Sequence, residues 1–501
     1  MKQRVQRTFT AAFLAASVLG TGLLGGASGA FAAKDSLTLG MVLEPPHLDP
    51  TAGAAAAIDE VVYANIFEGL TRIDRNGAVK PALAESWTVS DDGLTYTFAL
   101  HQGVKFHDGT DFDSADVKFS LDRAMAEDST NAQKGLFASI ASVAAPDPGT
   151  VVITVKQPTG NLLFNLGWGD AVIVAPESAA ENKNNPVGTG PFKFERWVKG
   201  DRVELVKNPD YWGTPAKLAK ATIKIIPDPS AATAALMAGD VDAFPNVPAP
   251  EALAQFEADP RFTVVIGSTE GETILAMNNG RGALKDVRVR RALAHAVDRK
   301  AVIDGAMFGY GTPIGSHFAP HHPAYVDLTG RYPYDMAKAK ALLAEAGYAD
   351  GVTLSLMLPP PSYARRGGEI VAAQLAAIGV KTEITQLEWK PWLEQVFKAK
   401  DYDLTIVSHV EPMDIGIYAR DDYYFDYHDA DFKALMAKLD TTVDEKSRYA
   451  IFAEAQETLA EDCVNVFLFQ LAKHGVWNKD VMGLWENTPT PGNDLTEVYW
   501  Q

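Results

Sequence analysis

The chain has 501 residues, with 45 Lys and Arg against 64 Asp and Glu, for a formal net charge of −19. That acidity argues against nucleic acid or an anionic membrane surface as partner. An apolar content of 47% suits a packed core rather than a disordered tail, and the length calls for two or more domains.

In chain order, Lys2, Arg4 and Arg7 precede an apolar run of small residues over 11–25 and the motif Ala30-Phe31-Ala32. This is the layout of a secretory signal peptide over 1–32, cleaved near Ala32. No Cys occurs before Cys463, so no lipid attachment is expected at the new N-terminus, and no later apolar run approaches a membrane span. The chain is therefore expected in the periplasm and not as a lipoprotein.

A first strand is predicted over 37–42, then a loop "EPPHLDP" and a helix over 58–67. Residues 81–157 read as β-rich, with turns at Gln102-Gly103 and Asp108-Gly109 and one helix capped by Asp113 or Ser114. From about 190 the pattern alternates. Helices are predicted over 285–303 with an Asp286 cap, over 334–348 between Asp335 and Gly347, and over 365–380 with a stop at Gly379. Strands are predicted over 352–360, 381–389 and 403–410, and a last helix near 444–460 runs into the strand "VNVFLFQ". Such alternation predicts a mostly parallel sheet. Cys463, between that helix and strand, reads as a buried inert thiol.

Ligands of open α/β units sit beyond the carboxyl ends of the strands. The segment "SHVEPMDIGIYARDDYYFDY" (408–427) leaves a strand at that place, dense in carboxylates, histidine and aromatics. No P-loop, H-E-x-x-H, C-x-x-C or G-x-S-x-G follows the signal segment. His317, His321 and His322 share one loop, but neighbouring loop histidines need further ligands to hold an ion, so no metal site and no cofactor are expected.

"PALAESWTVSDDGLTYTFALHQGVKFHDGTDFDSADVKFSLDRA" (81–124) resembles the signature of the family 5 extracellular solute-binding proteins of ABC importers, the dipeptide-, oligopeptide- and nickel-binding type. So do "IFEGL" (66–70), "GTGPFKFERWVKGDRVELVKNPDYWG" (188–213), "AALMAGDVDAF" (234–244) and "MNNGRGALKDVRVRRALAHAVDRKAVI" (277–303). The resemblance implies an α/β, two-lobed periplasmic binding protein fold of cluster C type, with a β-rich subdomain inserted in lobe one. Lobe one would take 33–70, 171–272 and a C-terminal return over 477–501. The insert would span 71–170 and lobe two 273–476. The implied protein is a monomer and not an enzyme. It captures a peptide-like or other small polar solute in the cleft between the lobes and delivers it to ABC permease subunits in the inner membrane.

In the peptide binders of this family, an Asp four positions before the Pro of an Asp/Glu-Pro pair holds the peptide ammonium. Here the pair is Glu411-Pro412 and the position is Ser408, a neutral side chain. Glu411 or Asp414 could then face a cationic group in its place. Tyr363, Arg365 and Arg366 at a helix start suit a carboxylate or phosphate. Trp389 and Trp392, with Tyr418, Tyr423, Tyr424 and Phe425, could supply aromatic walls. Glu44 and His47 would face the cleft from the other lobe, and His409 completes the candidate set. Alternatives are a nickel or metallophore binder, using His47, His317 or His409, an opine or sugar-derivative binder, and, less supported, a secreted hydrolase built on Glu411 and Asp414.

Overall fold

Two long antiparallel strands, Phe262–Met277 and Asn465–Asn478, form the spine of an eleven-stranded sheet in the computed structural model, which describes residues 34–501 apart from 54, 412 and 443. The signal segment predicted over 1–32 lies outside the described residues. On one side of the spine the sheet continues through Leu404–His409, Val352–Leu358 and Val380–Gln386. On the other side it continues through Ala243–Phe244, Ser36–Met41, Lys220–Ile225, Arg202–Lys207 and Phe192–Val198.

Each spine strand serves two cores. Val476 and Trp477 pack with the strand Ser36–Met41 and the helix Pro229–Ala238, whereas Val466, Phe467, Leu275 and Ile274 pack with the helices of the other side. The change falls where the register breaks. Ser268 still faces Ala472, but the next paired residue, Glu272, faces Gln470, so three residues of one strand lie opposite one of the other. Such a bulge bends the strand locally.

The sheet is mixed, which corrects the expectation of a mostly parallel one. Parallel pairing is confined to Ser36–Met41 with its two neighbours and to Val352–Leu358 with its two neighbours. The spine is antiparallel because the chain enters the second lobe along one strand and returns along the other, and the 192–207 segment is a hairpin.

The β-rich region has its own antiparallel sheet, in the order Ala84–Val89, Thr95–Leu100, Thr150–Val155, Ile140–Asp147. The helix Ser114–Met125 covers it through Val117 and Leu121. Its start is fixed by a capping box, in which Asp113 accepts from the Ala115 N–H and Asp116 reaches back to the Asp113 N–H. Asp335 and Gly347 bracket the helix Met336–Glu345 as expected, with Gly347 at φ +90°, a conformation that costs glycine little.

Two helices differ from expectation. The helix predicted over 285–303 is broken into Val287–Ala296 and Arg299–Met307, because Val297 is extended and Asp298 caps the second piece by accepting from the Ala301 N–H. The helix predicted over 58–67 ends at Val62, and Ala64 adopts φ +57°. Cys463 is buried and free, and burial pushes its thiol up to about 12.

Candidate functional site

The strand Leu404–His409 is buried along its first four residues and emerges at Ser408 and His409. Its pairing with the spine sets Ser408 beside Thr273 and His409 beside Glu272. The chain then turns through Met413 at φ +65° into a short 3-10 helix, Ile415–Ala419. Tyr418 of that helix stacks on Phe425, and Tyr424 packs tilted against Phe425, which folds the loop back into the core. The loop is thus held at both ends, by the sheet and by its own aromatics, and its polar residues are turned to one side.

That side is a cavity of about 540 Å³. One wall is Ser408, His409, Glu411 and Asp414 with Trp389 and Tyr423; the facing wall comes from the inserted region, through Gln133, Leu136, Asn161, Phe164 and Trp168. Outside the cavity the Arg448 guanidinium, on the helix Glu445–Glu461, donates to Asn161 Oδ1.

Behind the first wall lies a buried charge cluster. The His317 imidazole is 1% exposed, and its Nε2 donates to Asp414 Oδ1 at 2.8 Å. Its Nδ1 lies 2.9 Å from Glu272 Oε1, a charge contact out of hydrogen-bond alignment, so that neither atom has a hydrogen-bond partner. Burial opposes a charge on His317, but the two carboxylates outweigh it and raise its pKa to about 10. Burial also drives the Glu272 carboxyl well above its usual range, against the pull of His317. His409 differs: burial lowers its pKa and favours the neutral ring, with Nε2 2.8 Å from the Tyr424 hydroxyl and Nδ1 3.4 Å from that of Tyr423. Donor atoms of His409, Glu411 and Asp414 lie within 4.8 Å of one another, as do those of Glu272, His317 and Asp414.

Of the residues singled out from sequence, Trp389, Trp392, Ser408, His409, Glu411, Asp414, Tyr423 and Tyr424 are brought together around this cavity. Trp392 is buried and donates to Thr405 Oγ1, while Trp389 is 43% exposed at the mouth. Glu44, His47, Tyr363, Arg365 and Arg366 do not line it. Glu44 accepts from the Trp197 ring N–H and the Gly200 N–H, which ties its loop to the hairpin of the first lobe. His47 packs against Gly53 and accepts from the Asp49 N–H. Tyr363 accepts from the Ser408 N–H and so supports the loop from behind. Arg365 bonds the Leu387 carbonyl and Glu388, and Arg366 lies over the Phe308 ring. His321 pairs with Glu270 and His322 stacks on Phe318, apart from His317 in partner and role. Sequence reasoning misses Glu272, Phe164 and Trp168. Phe164 and Trp168 sit in an unremarkable apolar stretch, and nothing near Glu272 in the chain points to a histidine partner.

Residues 78–430 match the family model of bacterial extracellular solute-binding proteins, family 5, which covers well over half of the chain. The chain belongs to this family of solute-binding proteins. Among its relatives is the glutathione-binding protein GsiB of Salmonella paratyphi A, 36% identical over 349 residues that cover 68% of this chain and 67% of GsiB. The family 5 fold is also that of the periplasmic binding protein DppA from Helicobacter pylori in complex with the peptide STSA, with TM-score 0.82 and 26% identity over 93% of this chain and 98% of that one. NikZ from Campylobacter jejuni in complex with Ni(L-His) superposes with TM-score 0.78 and 26% identity over 93% of this chain and 98% of NikZ. The fold is accordingly the two-lobed binding-protein fold.

Proposed function

We propose that this protein is the periplasmic solute-binding component of an ABC importer, capturing a small polar solute in the cleft between its lobes and presenting it to a membrane permease. The observation that carries the reading is the 540 Å³ cavity walled on one side by the loop after Leu404–His409 and on the other by the inserted region. Its size suits a small molecule, and it mixes aromatic walls with a few polar groups, as ligand sites do. In this reading lobe one comprises 33–70, 171–272 and the C-terminal return, the insert spans 71–170, and the second spine strand changes lobe at 470–472, where its register breaks. Trp389, Trp392, Ser408, His409, Glu411 and Asp414 contact the solute. The solute stabilises the closed arrangement because it touches both walls, and that differential contact is what the permease reads.

The test is a thermal-shift and calorimetric screen of the purified protein against peptides, amino-acid derivatives, opines, sugars and metal complexes. A binding solute raises the melting temperature; a folded protein that binds nothing across the panel counts against the reading.

A nickel or metallophore cargo is a second reading, favoured by the donor atoms of His409, Glu411 and Asp414 within 4.8 Å of one another. Metal analysis of the protein and of variants at His47, His317 and His409 tests it. Metal content unchanged in all three variants excludes direct ligation by these histidines.

A further inference from the structure

We propose that the solute carries a weakly hydrated organic cation, a guanidinium or an alkylated ammonium, held by Glu411 and Asp414 between aromatic rings. This inference rests on the solute-binding reading above and names the solute class.

Charge is the first argument. The acidic side chains lining the cavity are Glu411 and Asp414, and the basic ones are His409 and Arg420. The Arg420 charge is spent on Asp422, with Nε and Nη2 at 3.1 and 3.0 Å from its two oxygens. His409, half-buried at the strand exit, has its ring nitrogens 2.8 and 3.4 Å from the Tyr424 and Tyr423 hydroxyls. His317 brings one positive charge from behind, set against Asp414 and Glu272. The site is therefore net negative whether or not Glu272 is ionised. An anionic solute would meet repulsion there, and a cation would complete the balance.

Geometry is the second. Asp414 gives Oδ1 to His317, while Oδ2 is 4.0 Å from His409 Nδ1, beyond hydrogen-bond length. That oxygen is left for the cavity. Glu411 is exposed there, with Oε2 accepting only its neighbour's Val410 N–H at 3.2 Å. Behind them Glu272 Oε1, on a side chain 4% exposed, stands 2.9 Å from His317 Nδ1 in the same cluster. His317 acts as a positioning residue that fixes which Asp414 oxygen faces outward.

The rings are the third. Phe164, Trp168 and Trp389 line the cavity together with Tyr423, over whose ring the Arg420 guanidinium already lies. Aromatic faces attract cations whose hydration is cheap to remove, as for guanidinium and alkylated ammonium, more than compact, strongly hydrated ones. Ser408 adds no charge. Its N–H is taken by Tyr363 and its hydroxyl accepts from Thr273 at 3.3 Å, so the site has no ionic anchor there for a free α-ammonium.

Calorimetry of the purified full chain with agmatine, choline, dialanine, glutathione and nickel chloride tests this. Agmatine or choline is expected to bind, at least tenfold more weakly in Glu411→Gln and in Asp414→Asn, with affinity falling as salt rises. Choline reports the alkylated ammonium, and agmatine, whose other end is a primary ammonium, reports the guanidinium only where dialanine, which carries a primary ammonium and no guanidinium, does not bind. Glu411→Gln keeps the test sound should Asp414→Asn fail to fold, since Glu411 is exposed. Binding of dialanine or glutathione but of neither cation overturns the cation proposal and leaves the solute-binding reading standing. Nickel binding that His409→Ala abolishes, with no binding of either cation, overturns it in favour of metal. Failure of every probe and of the broad solute panel overturns both.

Discussion

His317 Nε2 and Asp414 Oδ1 lie 2.8 Å apart in the interior, joining a histidine loop to the loop that lines the cavity. The same ring stands 2.9 Å from Glu272 on the spine strand, one pairing beyond the bulge between the lobes. A single imidazole thus links the cavity-lining carboxylate of Asp414 to the spine strand beside its bulge.

His317→Gln is expected to destabilise the protein by about 3–5 kcal/mol, because the buried Glu272 carboxylate and the cavity-edge Asp414 lose their common cation. Adding Glu272→Gln should restore part of the loss by removing one stranded charge. Chemical denaturation of the single and double variants measures both. Additive losses would mean that the two residues are not coupled.

Gly267→Ala tests the spine. A Cβ there would sit 1.8 Å from the Glu486 carbonyl oxygen, a backbone atom that cannot swing aside. The variant should lose about 1–3 kcal/mol or more through overpacking. Its small-angle scattering profile should also change, since Gly267 adjoins the bulge.

Asn161→Ala removes the acceptor for Arg448 and leaves the other Arg448 bonds, to the Leu439 and Thr442 carbonyls, in place. Stability should fall by about 1 kcal/mol or less, while solute affinity drops several-fold and the solute-free radius of gyration rises. Arg448→Ala should cost more stability, because those carbonyls are then left unpaired. An unchanged affinity in Asn161→Ala would show that the contact does not favour closure.

His107 sets a pH dependence. Burial lowers its pKa to about 4, against a hydrogen bond from Nε2 to the Gly190 carbonyl at 2.9 Å. The unfolded chain protonates near pH 6.5 and the folded one only near 4. Stability is therefore complete above 6.5 and falls as pH drops toward 4, by an amount on the order of 2–3 kcal/mol. Melting curves across that range should lose this slope in His107→Gln.

Much of the fold and part of the site are legible in residue identity and spacing. Asp113, Asp286 and Asp335 announce helix starts, and Gly347 a helix end, because caps act within four residues of backbone. The position of 408–427 at a strand exit follows from alternation alone, and eight of the candidate residues meet at the cavity. Arg365 and Arg366 mislead. Their place at a helix start resembles an anion site, but their partners are Glu388, the Leu387 carbonyl and the Phe308 ring, which only the packing of that helix supplies.

By itself the sequence determined the acidic balance, the alternation of elements, the family and the neutral Ser408, since each rests on residue identity or on short-range backbone chemistry. The tertiary structure alone decided that His317 lies between Glu272 and Asp414, that Phe164 and Trp168 line the same cavity as Ser408, and that the spine strands break register at Ser268–Glu272. Those contacts join segments far apart in the chain. Their energy comes from burial and charge pairing in a shared interior, which has no local signature along the sequence.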